Sequence, residues 1–358
     1  MNGPVQFMRR TLIAAAVGVL LLAYAPLRAE DLVFVRFSDY IESLRVQTGI
    51  PGLAAAIVGR SDVLWENGFG YQDVGRAVRM RPDTPTHADG LTQTVTAALL
   101  LRCAEDNRLS LDTAVGTYKK DAPEPAATIK QLLSNTFGPS LFSYRPERLD
   151  AVAPAVKVCA GDSHRETVAN LLEQLAMFNS VPGPDILTLQ PPAEGLPTDV
   201  ERVQYAQVLD RLAVAYAVDS AKRVYPTQFA ASTLTPSTGL ITSVHDYAQF
   251  DLALRNGIIL SPDSLATAWT PAGADATGRP LPYGLGWFIQ TYNGELVVWQ
   301  FGIGGDNGSS SMSVALPARG VTLVMLANSA GLAKSFQLDK GDVTTSPFAR
   351  IFLSLFTR

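Results

Sequence analysis

The sequence predicts a mixed α/β fold through a hairpin near its start, a group of strand-length runs near its end, and helical patterning between them. Residues 53–58 and 63–70 read as two strands joined at Gly59-Arg60-Ser61-Asp62, a hairpin signal. Residues 296–301, 311–316 and 321–327 alternate or run apolar at strand length. Between these groups the longest helical signal, residues 95–104, is apolar almost all the way round, the pattern of a helix buried inside a domain.

Taken in order, the chain opens with Arg9 and Arg10 before a run, 12–25, that is apolar but for Gly18. Leu27-Arg28-Ala29 then offers a small residue before Glu30. This is the layout of a cleaved export signal, residues 1–29, with Met8 as an alternative start; the run is short for a membrane anchor. The expected mature protein, 30–358, is periplasmic or secreted, with cleavage near Ala29 and no membrane span. Loss of Arg9, Arg10 and Arg28 takes the formal charge from −4 to about −7. With no basic run, nucleic acid is not expected as a partner. Cys103 and Cys159 read equally as a disulfide in an oxidising compartment or as small core residues.

Residues 37–46 carry apolar positions at helical spacing and stop at Thr48-Gly49-Ile50-Pro51-Gly52. The buried helix closes at Glu105-Asp106-Asn107, the asparagine suited to a left-handed turn. A short helix follows at 128–133, then helical patterns at 164–178 and 200–215 separated by the proline-rich 181–197. Ser243 and Asp246 read as a capping box, with His245 facing solvent in the first turn. Residues 348–356 read as a closing helix.

Several stretches, in this order, resemble the serine β-lactamase and penicillin-binding protein family, of the class C β-lactamase and esterase type. An amphipathic helix, the Ile50-Pro51-Gly52 turn and a hairpin ending Gly68-Phe69-Gly70-Tyr71-Gln72-Asp73 are similar to the way that family begins. Residues 94–100 read T-V-T-A-A-L-L, residues 134–138 S-N-T-F-G, residues 235–242 T-P-S-T-G-L-I-T, and 283–287 Y-G-L-G-W. The resemblance covers roughly residues 35–356. It implies an α/β (α+β) fold of β-lactamase/transpeptidase type: an antiparallel sheet flanked by helices, plus a mostly helical lobe at roughly 108–235, with the site between them.

The departures fall on the chemical positions. Where the family's S-x-x-K motif has its nucleophilic serine and its lysine, this chain has Gly90 and Gln93; the asparagine of Y-x-N is Pro146, and the cation of K-T-G or H-x-G is Gln300. Tyr144 and Gly302 are retained. The chemistry needs a hydroxyl beside an amine one helical turn away. Gly90 offers no oxygen, and the amide of Gln93 cannot exchange a proton near neutrality. Without a cation at 93, nothing draws the Tyr144 phenol down from about 10, and a tyrosine filling a half-buried loop is the favoured reading.

No alternative nucleophile stands out. None of the seven lysines has a serine three residues before it. Thr92 and Thr94 are near the right place, but a shift of two residues on a helix turns a side chain by about 200°, away from the site. His87 and His164 lack partners at metal spacing, so neither a metal nor a cofactor is expected. The candidate ligand-binding positions are therefore Gly90, Gln93, Tyr144, Pro146, Gln300 and Gly302, with no assigned catalytic residue. The reading is a pseudoenzyme that binds a small molecule, peptide, cell-wall fragment or protein partner. The alternative is a small-ester or amide hydrolase with a non-standard nucleophile. On this reading Gly90→Ser with Gln93→Lys should recover slow acylation.

Overall fold

The computed structural model describes residues 29–138, 141–229, 231–305 and 307–357. The predicted export signal therefore lies outside the described residues, except for Ala29. Chain contacts divide the molecule into residues 1–39 and 40–358. In the first unit the described residues are helical, the opening of α1 (Ala29–Thr48), which starts earlier than the predicted residue 37.

The second unit is built on strands β1 (Gly52–Val58), β2 (Val63–Asp73) and β3 (Val78–Arg79), the two-residue β4 (Thr86–His87), β5 (Tyr216–Val218), β6 (Val224–Pro226) and β7 (Ile241–Thr242), and then β8 (Phe288–Tyr292), β9 (Glu295–Ile303), β10 (Ser310–Leu316) and β11 (Val321–Ala327). Seven of them form one antiparallel sheet in the order β3-β2-β1-β11-β10-β9-β8. The predicted hairpin and the three late runs are all in it. The first and last strands of the chain meet at its centre, where Leu53 pairs with Ala327 and Ala56 with Val324. Both are buried along their length, which is why they read as continuous apolar runs rather than as alternation.

Helices α2 (Thr92–Glu105), α3 (Ile129–Leu133), α4 (Ala153–Ala160), α5 (His164–Gln174), α6 (Asp199–Asp210), α7 (Val244–Arg255), α8 (Pro262–Ala268) and α9 (Pro347–Phe356) complete the described elements. Helix α2 is the buried helix that the sequence predicts: Val95, Ala97, Ala98, Leu100 and Leu101 share one core with Ala54 and Ala56 of β1 and with Val244 and Ala248 of α7. It closes as expected, with Asn107 left-handed at φ 56°. Cys103 of α2 and Cys159 of α4 are joined by a disulfide, Cα to Cα 5.9 Å, so the open alternative resolves to a covalent tie between the buried helix and the lobe.

Three local readings are corrected. The helix predicted at 200–215 ends at Asp210: Arg211 N and Leu212 N close its last turn, and the amides after them bond elsewhere, Ala213 N to Pro85 O and Val214 N to Gln72 O. The same segment turns back as the β5–β6 hairpin, and α3 to α6 cover well under half of 108–235, so the lobe expected to be mostly helical is largely loop and turn. The capping box at Ser243 is half formed. Its hydroxyl accepts from Asp246 N at 3.1 Å, but the buried Asp246 carboxylate accepts from Asn179 N at 2.7 Å and Ser180 Oγ at 2.7 Å, anchoring the chain that follows α5. His245 faces solvent as predicted and meets Glu66 at 3.0 Å.

Candidate functional site

A cleft of about 460 Å³ lies where the start of α2, the end of β9 and the lobe segment around Tyr144 converge. Gly90, Gln93, Tyr144, Pro146 and Gly302 line it, five of the six positions that the sequence singles out. Gln300 does not. Its side chain is fully buried behind Tyr144, so the expectation that it stands in the cleft wall is corrected.

The local folding explains the placement. A 3-10 turn, Asp89–Leu91, leads into α2, with Asp89 left-handed at φ 46°. Two serines at the start of the β10 region fasten this turn: Ser311 Oγ donates to Ala88 O at 2.6 Å and Ser309 Oγ to Asp89 Oδ1 at 3.0 Å. The turn is thereby pressed against β9. A Cβ built on Gly90 would fall well inside van der Waals distance of the Phe301 carbonyl oxygen and 3.0 Å from Gly302 Cα. A Cβ on Gly302 would in turn strike Gly90 N. Two backbones thus meet where the two glycines face each other, and the space in which a nucleophile's side chain would stand is filled by a carbonyl group.

Below the cleft floor runs a neutral hydrogen-bond chain. Gln93 Nε2 donates to Tyr144 Oη at 2.9 Å, and Tyr144 Oη donates to Gln300 Oε1 at 3.3 Å. Gln300 Nε2 donates to Tyr283 Oη at 2.7 Å and to Gly286 O at 3.1 Å. Both atoms of the Gln300 amide, and the nitrogen of the Gln93 amide, are thus engaged inside the protein. Burial drives the Tyr144 hydroxyl well above the ordinary phenol range, and the hydrogen bond from Gln93 offsets this only in part. A phenol so placed stays protonated and cannot serve as a base at neutral pH. Its ring packs in an aromatic group with Phe288 at 5.0 Å and Phe301 at 5.3 Å. Tyr144 is thus half-buried packing, as the sequence favours, and a hydrogen-bond link as well.

Other residues around the cleft have structural work. Asn135, left-handed at φ 55°, accepts from Arg145 N at 2.9 Å and holds the Tyr144 segment in place. Pro146 opens the 3-10 helix Pro146–Val152 and presents only its ring. Thr94 Oγ donates to Leu91 O at 2.7 Å and meets Tyr247 Oη at 2.8 Å, while Thr92 Oγ accepts from Leu240 N at 3.3 Å, so neither threonine serves the cleft. Sequence reasoning missed Ser237 and Thr238, which bring hydroxyls to the cleft from the loop before β7. Their place within the T-P-S-T-G-L-I-T stretch was the available signal.

The chain resembles known proteins in both sequence and fold. PbpX of Bacillus subtilis (strain 168) is 22% identical over 283 residues, 71% of this chain and 65% of PbpX. Protein flp of Staphylococcus aureus (strain NCTC 8325 / PS 47) is 34% identical over 95 residues, 25% of this chain and 19% of flp, so the chain matches only part of each relative's length. In structure, the octameric penicillin-binding protein homologue from Pyrococcus abyssi superposes with a TM-score of 0.71 at 19% identity, over 90% of this chain and 77% of that one, a likeness of fold. The family profile described as Beta-lactamase matches residues 37–177 and 187–344, spanning both the sheet and the lobe, and the chain belongs to the beta-lactamase family.

Proposed function

We propose that this is an exported, non-catalytic member of its family that uses the cleft to hold a peptide or cell-wall fragment without cleaving it. The observation that carries the reading is the Phe301 carbonyl against Gly90: position 90 has no nucleophile and no room for one. The neutral Gln93–Tyr144–Gln300 chain supports it, since the ionisable pair that family chemistry requires has been replaced by groups that hold their protons. Export rests on Arg9-Arg10 with the apolar run after them, and on the Cys103–Cys159 bond, which an oxidising compartment favours. For the competing hydrolase reading the cleft offers Ser237 and Thr238. Ser237 Oγ lies 3.3 Å from Thr235 Oγ, a hydroxyl that cannot act as its base.

Intact-protein mass spectrometry of the mature protein after incubation with benzylpenicillin should show an unmodified chain beginning at or near Glu30. A synthetic cell-wall stem peptide should raise its melting temperature without being consumed. A stoichiometric penicilloyl adduct, or release of product from the peptide, would overturn the reading.

A further inference from the structure

Between α5 and α6 lies a hollow of about 510 Å³ that shares no lining residue with the cleft. Its floor includes Leu172, Met177, Ile186 and Tyr205, all buried. Ile186 and Tyr205 belong to a small apolar cluster of their own with Val181, Val208 and Ile241, so the floor is a packed platform. The rim is unusual for a protein surface. Val200 is 80% exposed, Phe178 57% and Leu196 39%. Val200 occupies the second position of α6, where an acidic side chain would suit the helix dipole and a β-branched apolar one has no local advantage. Grouped exposed apolar side chains of this kind mark an interaction surface.

The charge around the hollow has one sign. Glu166, Glu173 and Glu201 line it, and no lysine or arginine does. Two of the carboxylates are fixed in place by capping boxes: Glu166 Oε2 accepts from Ser163 N at 2.9 Å and Glu201 Oε2 from Thr198 N at 2.7 Å. The nearby arginines turn away, Arg165 to Asp185 at 2.9 Å and Arg202 to Leu187 O at 3.1 Å. The walls are two helices and the proline-rich connection between them, with no strand edge for an incoming chain to pair with. An occupant must therefore satisfy its own backbone hydrogen bonds and bring only side chains, which is what a helix does.

We propose that the α5–α6 hollow docks a basic amphipathic helix of a partner protein, its apolar face on Phe178, Leu196 and Val200 and its lysines or arginines beside the three glutamates. The proposal is independent of what the cleft holds.

The test is fluorescence anisotropy of the full mature protein with a labelled 14-residue helix-forming peptide of leucine and lysine, and with the same peptide carrying glutamate for lysine. The lysine peptide should bind saturably, more weakly at high salt, and the glutamate peptide should not. Val200→Asp should weaken binding about tenfold. That exposed position tolerates an acidic residue at the helix start, so the fold should survive, as an unchanged melting temperature would verify. Glu173→Lys should weaken binding several-fold more than Asp62→Lys, an equal charge change on the distant first hairpin. Absence of binding overturns the proposal. So does equal weakening by Glu173→Lys and Asp62→Lys, which would mean bulk charge attraction. A dimer in sedimentation that Val200→Asp dissociates would also overturn it, because the face would then be covered by a second copy.

Discussion

At the scale of single residues, the proposed loss of chemistry is a matter of space as well as of functional groups. Gly90 and Gln93 are legible in the sequence as missing a nucleophile and a base, and from that alone Gly90→Ser with Gln93→Lys is expected to recover slow acylation. The geometry revises the expectation. A side chain at 90 meets the carbonyl of Phe301, and that carbonyl cannot swing aside because β9 is held in register by β10, with Gly302 opposite Ser311. Gly90→Ser should therefore destabilise the protein by roughly 1–3 kcal/mol through overpacking against backbone. The double variant should remain unacylated by a chromogenic β-lactam. Denaturant unfolding of Gly90→Ser and burst kinetics of the pair check both halves, and a stable, acylating double variant would show that β9 can yield. The sequence could not reveal this, because a glycine's reason lies in whichever backbone approaches it, here more than two hundred residues away. Gln300 shows the same limit. Its loss of charge is legible, but its withdrawal behind Tyr144 depends on Tyr283 and Gly286 accepting its amide hydrogens.

At the scale of elements, signals carried within one stretch were legible and those set by distant partners were not. The all-round apolarity of α2, the hairpin punctuation at residues 59–62 and the left-handed Asn107 are local, and all appear as read. The end of α6 and the β5–β6 hairpin were missed because Pro85, Gln72 and Asn328 supply their hydrogen-bond partners. Pairing of Cys103 with Cys159 was undecidable for the same reason, since it depends on how α2 meets α4. That bond closes a loop of 56 residues in sequence separation, so it restricts the unfolded chain considerably. Cys159→Ala, or reduction, should cost about 2–4 kcal/mol. Comparing urea midpoints with and without reductant measures it, and the Cys159→Ala variant should show no further reductant effect. Unchanged midpoints would mean that the packing of Val156 and Ala155 against the main core already fixes α4.

At the scale of the whole molecule, two buried histidines make stability depend on pH in a range where few other groups change. His87 is buried and stacked on Phe229 at a ring separation of 3.9 Å; His164 is buried and meets Thr96 Oγ at 3.0 Å. Burial pushes both imidazoles down to about 4, with the Arg165 charge adding to the effect at His164. Each binds its proton less readily folded than unfolded, so the unfolded chain takes up more protons as pH falls and stability falls with it. The contribution is intact above the ordinary histidine value of about 6.5 and is lost progressively toward 4, where each histidine has cost about 3 kcal/mol. Asp251, buried beside Arg255, works in the opposite sense: burial raises its carboxyl, so protonation favours the folded form. Differences between the protein and its variants remove that contribution. Urea midpoints at pH 7.5, 6, 5 and 4.5 should fall steeply for the protein, and less steeply for His87→Leu and His164→Gln. If both variants keep the full pH slope, the loss comes from carboxylates on the surface and the buried imidazoles are not its source.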